Sequence, residues 1–405
     1  MTTSTDIQTT SSQGRARVPV AGLLALSLLL LLGAPGLLDA GAGTIPTGPA
    51  PVDTVIHPSG ATTYVLNSGN ATVSIIDNSS KAVTGVINLT QPPGVCLDMD
   101  WNGPSSQLII GCSNGQVLFA DPATMLWGVI VNNPGANYGI VAAENFSPPT
   151  VAWAIDLNSG WLDMIQPGVV VPSGPAGVGA PVELVEKAVD GTSPPALNGY
   201  LPVLGTSALG FTNVSVYNRA TMLWLPLSTY GLVMRTATGI DTSVGTKAYI
   251  STQLPAGAGG DLLELDLLTM LFNPAPVHVF AGGNPLDVAV AGQWIQVLEA
   301  IAPGPGTNLH TFDAGNPGAV LYTGYVPTDP MGLPFGGLDA FLHLAGSIDD
   351  LVISFANTTP DVYVEDSEIM NESKVTPAPG TVATWTVNQF CLLYTSDAAD
   401  EDYTV

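Results

Sequence analysis

Short apolar runs alternate with clusters of Gly, Pro, Asn, Asp and Ser along most of the chain. Residues 51–89 show one whole unit. Apolar runs at 52–56, 63–66, 72–76 and 83–89 are parted by His57-Pro-Ser-Gly60, Asn67-Ser-Gly-Asn70 and Asp77-Asn-Ser-Ser80. Runs rich in Val, Ile and Thr and bounded by turn residues predict strands. Four of them joined by tight turns predict one antiparallel sheet. Its apolar residues fall on both faces, so the sheet cannot bury itself alone, whereas copies stacked around an axis can.

The copies show as a repeated turn. Asp121-Pro-Ala-Thr-Met-Leu-Trp127, Asn218-Arg-Ala-Thr-Met-Leu-Trp224 and Asp266-Leu-Leu-Thr-Met-Leu-Phe272 nearly match, and looser copies begin at Asp77, Asp156, Asp313 and Asp366. A period of ~45–50 residues filled with short strands predicts a propeller. The first and last turn aspartates bracket about six periods, which predicts an all-β fold of four-stranded antiparallel blades, seven in preference to six or eight. The blades fall near 51–93, 94–138, 139–195, 196–238, 239–284, 285–331 and 332–390. In the third, residues 168–181 read as a loop inserted between strands. The leading Asp or Asn of each turn is expected to accept backbone N–H groups two residues on. Trp127, Trp224 and Phe272 are expected to pack between neighbouring blades.

The first unit carries a resemblance. Thr63-Tyr-Val-Leu-Asn-Ser-Gly-Asn-Ala-Thr-Val-Ser-Ile-Ile-Asp77 resembles the YVTN-type β-propeller repeat, with its strand, Asn/Gly/Ser turn, second strand and terminal Asp. Residues 94–131 resemble it less closely, Pro285-Leu-Asp-Val-Ala-Val290 resembles its strand start, and the other units share only its rhythm. The resemblance implies a propeller whose first strands often carry Asp.

Charge narrows the partners. The chain has 33 acidic and 8 basic residues, a net charge of −25. Phosphate binding needs clustered Lys and Arg, so nucleic acid is excluded as a partner and anionic membrane surfaces are disfavoured. At the N-terminus, Arg15 and Arg17 precede an apolar run at 20–34, and Ala40-Gly-Ala42 offers a small-residue cleavage site. This predicts a signal peptide at 1–42, a linker at 43–50, and a secreted chain with no membrane insertion after cleavage. The run is shorter than the ~20 residues of a spanning helix. Cys391-Leu-Leu-Tyr-Thr-Ser-Asp-Ala-Ala-Asp-Glu401 resembles a translated sequencing adapter, so 391–405 reads as a foreign tail and the propeller as 51–390.

Two cysteines remain. Cys96 and Cys112 are equidistant from a turn centred near residue 104. A hairpin there sets them opposite each other and predicts a disulfide in an oxidising compartment. Two reduced, buried thiols are the alternative.

Candidate chemistry is sparse. His57, His278, His310 and His343 have no metal-ligand spacing, and there is no Gly-x-Ser-x-Gly, phosphate-binding Gly loop or Cys-x-x-Cys. No catalytic residue is assigned. The clearest recurring position is an apolar–Asp pair at the start of several blades: Val52-Asp53, Ile240-Asp241, Leu286-Asp287 and Leu338-Asp339, with Leu197-Asn198 in the fourth. On innermost strands, Asp53, Asn198, Asp241, Asp287 and Asp339 would form an oxygen-rich ring at the channel mouth. Ca2+ is the cation such a ring would take, with the four aspartates as ligands. The alternative is that each Asp ties down its own loop through backbone N–H groups. Seven Asn-x-Ser/Thr sequons, at Asn70, Asn78, Asn88, Asn145, Asn213, Asn357 and Asn371, mark surface turns or glycan sites. The functional expectation is a secreted, monomeric, non-catalytic scaffold. It would bind a protein, glycan or small molecule through one face or the channel mouth. The alternative is a metal-dependent hydrolase of the propeller-lactonase kind, built on the Asp ring.

Overall fold

The computed structural model describes residues 47–385 with interruptions, the longer ones at 90–94, 145–149, 186–196, 327–336, 343–348, 355–361 and 367–382. From residue 321 onward it describes backbone alone. The segments expected to be a signal peptide and a foreign tail lie outside the described residues.

The described chain is a succession of four-stranded meanders. Blade 1 is β1 (Pro51–Ile56), β2 (Thr62–Asn67), β3 (Thr72–Asp77) and β4 (Ala82–Asn88). Blade 2 is β5 (Cys96–Asn102), β6 (Gln107–Cys112), β7 (Gln116–Asp121) and β8 (Leu126–Asn132). Blade 3 is β9 (Tyr138–Ala143), β10 (Ala152–Asp156), β11 (Trp161–Gln166) and β12 (Val169–Pro175). Blade 4 is β13 (Ala180–Leu184), β14 (Tyr200–Thr206) and β15 (Thr212–Asn218), with an outer strand broken into β16 (Leu223–Trp224) and β17 (Ser228–Thr229). Blade 5 repeats that plan with β18 (Thr236–Thr242), β19 (Lys247–Gln253), β20 (Gly260–Asp266), β21 (Leu271–Phe272) and β22 (His278–Phe280). Blade 6 is β23 (Gly283–Ala291), β24 (Trp294–Ile301), β25 (Gly306–Asp313) and β26 (Asn316–Val326). Among the described residues there is no α-helix.

Six blades are therefore complete and antiparallel throughout, one fewer than the turn period predicts. A last sheet, β27 (Gly337–Leu342), β28 (Asp349–Ser354), β29 (Val362–Asp366) and β30 (Ala383–Trp385), sets β27 against β23 and β1. Its β30 pairs parallel to β29. A tight hairpin can only return the chain antiparallel, so this sheet is not a seventh copy of the meander. The first strand of each blade touches the first strand of the next, from β1 through β5, β9, β13 and β18 to β23. These are the innermost strands.

The boundary between blades 3 and 4 differs from expectation. Residues 168–181 are not an inserted loop. Val169–Pro175 pairs with β11, and Ala180–Leu184 pairs with β14 as the innermost strand of blade 4. Gly174, Gly177 and Gly179 at φ +104, +73 and +94 supply the left-handed backbone that joins the two strands. Leu197-Asn198 therefore precedes the second strand of blade 4, not the first, and Asn198 lies outside the described residues.

Turn chemistry closes each hairpin. Asp121 Oδ1 accepts Ala123 N at 2.9 Å, Asn218 Oδ1 accepts Ala220 N at 3.0 Å, and Asp266 Oδ1 accepts Leu268 N at 3.0 Å. The next residue but one, Met125, Met222 or Met270, takes a left-handed φ of 58°, 57° or 57°, which aims the chain back along the third strand. Between blades lie apolar layers. Trp127 packs into the layer of blades 1 and 2. Trp224 stacks edge-on to Tyr217 at 5.2 Å and donates Nε1 to Ser173 O of blade 3 at 3.2 Å. Phe272 meets Tyr230 of blade 4 at 5.2 Å. Middle strands are buried on both faces, as in β14, while outer strands such as β4 alternate exposed and buried.

Candidate functional site

The innermost strand of a propeller blade is paired on one edge only. Its other edge faces the channel with backbone N–H groups that need acceptors. In this chain, acidic side chains supply them. Asp53 Oδ1 accepts Thr54 N of its own strand at 2.7 Å, and its Oδ2 accepts Met99 N of blade 2 at 2.6 Å. Asp98 repeats this with Met99 N at 3.0 Å and Val141 N of blade 3 at 2.6 Å. Asp100 does so with Trp101 N and Ala143 N, both at 2.7 Å. Asp241 takes Thr242 N at 2.6 Å and Val290 N of blade 6 at 2.7 Å. Glu183 of blade 4 accepts Ile240 N of blade 5 at 2.6 Å. Asp287 accepts Val288 N at 2.8 Å and leans back on Gly239, where a Cβ would collide with its Oδ1.

A backbone irregularity aims these groups. Pairing of the inner strand shifts register between Pro51 and Asp53, Cys96 and Asp98, Pro181 and Glu183, and Pro285 and Asp287. One bulged residue, the apolar partner of the pair, thus precedes the acid in four blades. A bulge bends the strand and re-aims the next side chain. Here it turns the carboxylate along the free edge.

The ring is electrostatically crowded. Burial pushes Asp98 up to about 6, against the pull of its hydrogen bonds from Val141, Asp53 and Met99. Burial also pushes Asp100 up to about 6, with the Asp98 charge adding to it. Glu183 is raised well above the usual carboxylate range, first by burial and then by the charges of Asp287, Asp241 and Asp98. Asp98, Asp100 and Glu183 are each only partly exposed, and the little solvent around them leaves the charged forms disfavoured.

Of the residues singled out in the sequence, Asp53, Asp241 and Asp287 stand on the inner strands β1, β18 and β23. Asp339 stands on β27, opposite Val352 of β28, where only backbone is described. Asp98, Asp100 and Glu183 were missed. Leu97-Asp98 and Val182-Glu183 carry the same apolar–acid pair and sit at strand starts, so the signal was present. A cation in the channel would compete with N–H donors for the carboxylate oxygens. Among the described residues, no three His, Cys, Asp or Glu side chains converge as a metal shell requires. Cys96 and Cys112 are directly opposed across β5 and β6, buried, and joined by a disulfide with Cα atoms 3.9 Å apart.

No family model matches the chain, and no curated protein matches it. Solved structures do. The chain is similar to hydrazine synthase of Kuenenia stuttgartiensis, with TM-score 0.60 and 14% identity, covering 83% of this chain and 98% of that one. It is similar to the Cps50 (Swd1) β-propeller domain of Myceliophteria thermophila, with TM-score 0.58 and 12% identity, covering 85% and 98%. The RRP9 WD40 repeats align with TM-score 0.56 and 11% identity, over 78% and 91%. At these identities the likeness establishes the β-propeller fold alone.

Proposed function

We propose that the protein is a secreted, non-catalytic propeller of the YVTN type that docks protein partners on its outer rim. One observation carries this reading. The repeated turn places Leu126, Leu223 and Leu271 at the rim of blades 2, 4 and 5 with 64%, 63% and 67% of their surface exposed. Blade 3 does not continue the pattern, because its Asp156 turn joins β10 to β11 at the opposite end of the blade. Single exposed apolar residues are ordinary, but the same residue at the same turn on three blades, two of them adjacent, makes an interrupted band. The outer strands beneath it offer unpaired edges. The inner carboxylates, in contrast, bond the blades' own backbone. A net charge of −25 steers partners whose contact surface is basic around an apolar centre.

The test compares the protein with a Leu126→Ser, Leu223→Ser, Leu271→Ser variant as bait for secreted proteins of its source. The expected result is a partner retained by the parent, weakened by salt, and lost by the variant at unchanged melting temperature. Equal retention by both would remove the rim from the account.

A further inference from the structure

A cleft of about 730 Å³ opens at the seam of blades 4 and 5. It exists because both outer strands are broken there. The chain leaves β16 at Trp224 and rejoins the sheet at Ser228, and it leaves β21 at Phe272 and rejoins at His278. Tyr230, Phe272, Met270, Leu227 and Pro274 form an apolar lining. The Tyr230 and Phe272 rings meet edge to face, and Ser228 Oγ donates to Met270 O at 2.6 Å, which ties the two walls together. The cleft is thus an open feature built by two blades, with a volume in the range of small-ligand sites.

Its charged group is Arg235, one of eight basic residues in the chain. The guanidinium is held in place from two sides. Its Nε donates to the buried Asp261, and its carbon sits 5.2 Å from the centre of the Tyr230 ring. The two terminal nitrogens make no hydrogen bond to a described residue. A guanidinium bound through Nε keeps its terminal fork for a second acceptor, and that fork matches a carboxylate. Held by Asp261 and Tyr230, it would lose little freedom on meeting one.

We propose that this cleft binds an apolar carboxylate, with the hydrocarbon or aromatic body against Tyr230, Phe272 and Leu227 and the acid on the Arg235 fork. Free acids and the apolar C-terminus of a peptide share that chemistry. The net negative charge of the chain opposes an anion at long range. At physiological salt that field is screened within about 8 Å. Because Asp261 offsets the guanidinium charge inside that range, recognition rests on the directed N–H donors of the fork.

Calorimetric titration of the whole protein tests this with 4-phenylbutyrate, its amide, and acetyl-Ala-Ala-Phe with a free or an amidated end. Both acids are expected to bind, each about tenfold or more tighter than its amide, as a charge-assisted pair implies. A tighter free acid assigns the cleft to small molecules, and a tighter peptide acid assigns it to chain ends. Arg235→Gln should cost a similar factor, Arg235→Lys should restore part of it, and Val86→Ser, exposed on blade 1, should change nothing. The acid–amide comparison needs no variant, so it stands even if Arg235→Gln misfolds. No binding by either acid, or equal binding of acids and amides, overturns the proposal.

Discussion

At the scale of single residues, the channel carboxylates make stability depend on pH in an unusual direction. Asp98 and Asp100 titrate near 6 in the folded chain, and Glu183 is raised further from its ordinary value. Between the unfolded and folded values, the folded state holds protons that the unfolded state has lost. Stability from these groups is thus greatest in acid and falls as pH rises through the folded values. Asp121 and Asp266 act oppositely. The Thr124 hydroxyl lowers Asp121, and hydrogen bonds led by Thr269 N–H lower Asp266 despite its burial. They favour folding above the usual carboxylate range, and their contribution is already complete at pH 5.5. The expected outcome is a melting temperature that rises as pH falls from about 7.5 to 5.5, with a shallower slope in Asp98→Asn. A flat or inverted profile by scanning calorimetry would show that the ring is not strained.

The sequons separate at the same scale. Asn78 and Asn213 are buried. Asn78 Oδ1 accepts Thr63 Oγ1 at 2.9 Å, and Asn213 Nδ2 donates to Val178 O at 3.1 Å. Asn70 and Asn88 are exposed. Expressed in a glycosylating host, the protein should carry glycan at Asn70 and Asn88 and none at Asn78 or Asn213, as read by glycopeptide mass spectrometry.

At the scale of elements, hairpins are closed locally and held to their neighbours by a few polar ties. The disulfide between β5 and β6 closes a short loop, its cysteines standing at a sequence separation of 16. Reducing it should cost about 3 kcal/mol on the chain-entropy estimate. Denaturant melts with and without reductant, against Cys96→Ala/Cys112→Ala, measure that cost. A stronger tie joins blades 3 and 4. Arg219 Nη1 meets Glu144 Oε1 at 2.9 Å with both side chains almost wholly buried, and Trp153 Nε1 donates to Glu144 Oε2 at 2.7 Å. Arg219→Ala would strand a buried charge and should cost about 3–5 kcal/mol. Adding Glu144→Gln should recover part of that loss, whereas additive losses would mean that the two groups do not act as a pair.

At the scale of the whole molecule, blades rest on one another through apolar layers. The inner carboxylates add a directional stitch from four of the inner strands to the next. The stitches at Asp53, Asp98, Asp100, Glu183 and Asp241 all run forward along the chain, from one blade to its successor. Blade 3 breaks the series, since β9 reads Tyr-Gly-Ile-Val-Ala-Ala and has no acid to pass on. The outer surface is divided likewise. The rim band repeats with the turns and at Leu271 meets the cleft, which lies where two successive outer strands are broken.

What the sequence determined by itself is whatever short-range physics settles. Apolar runs between turn residues specify strands, and Asp or Asn at a turn finds its N–H partner two residues on. The antiparallel blades and the repeated turn were legible for that reason. Tertiary structure decided the rest. The acceptor roles of Asp98, Asp100 and Glu183 depend on N–H groups 43, 43 and 57 residues away, brought close only when the blades stack. The first strand of blade 4 was hidden because Gly and Pro around 168–181 suit a loop as well as two turns flanking a strand. Counting turns led to seven equal blades, because a turn reports that a hairpin exists and not the direction in which a later strand such as β30 joins the sheet. The cleft had no local signature either, since Tyr230, Arg235, Asp261 and Phe272 meet only across the packed seam of two blades.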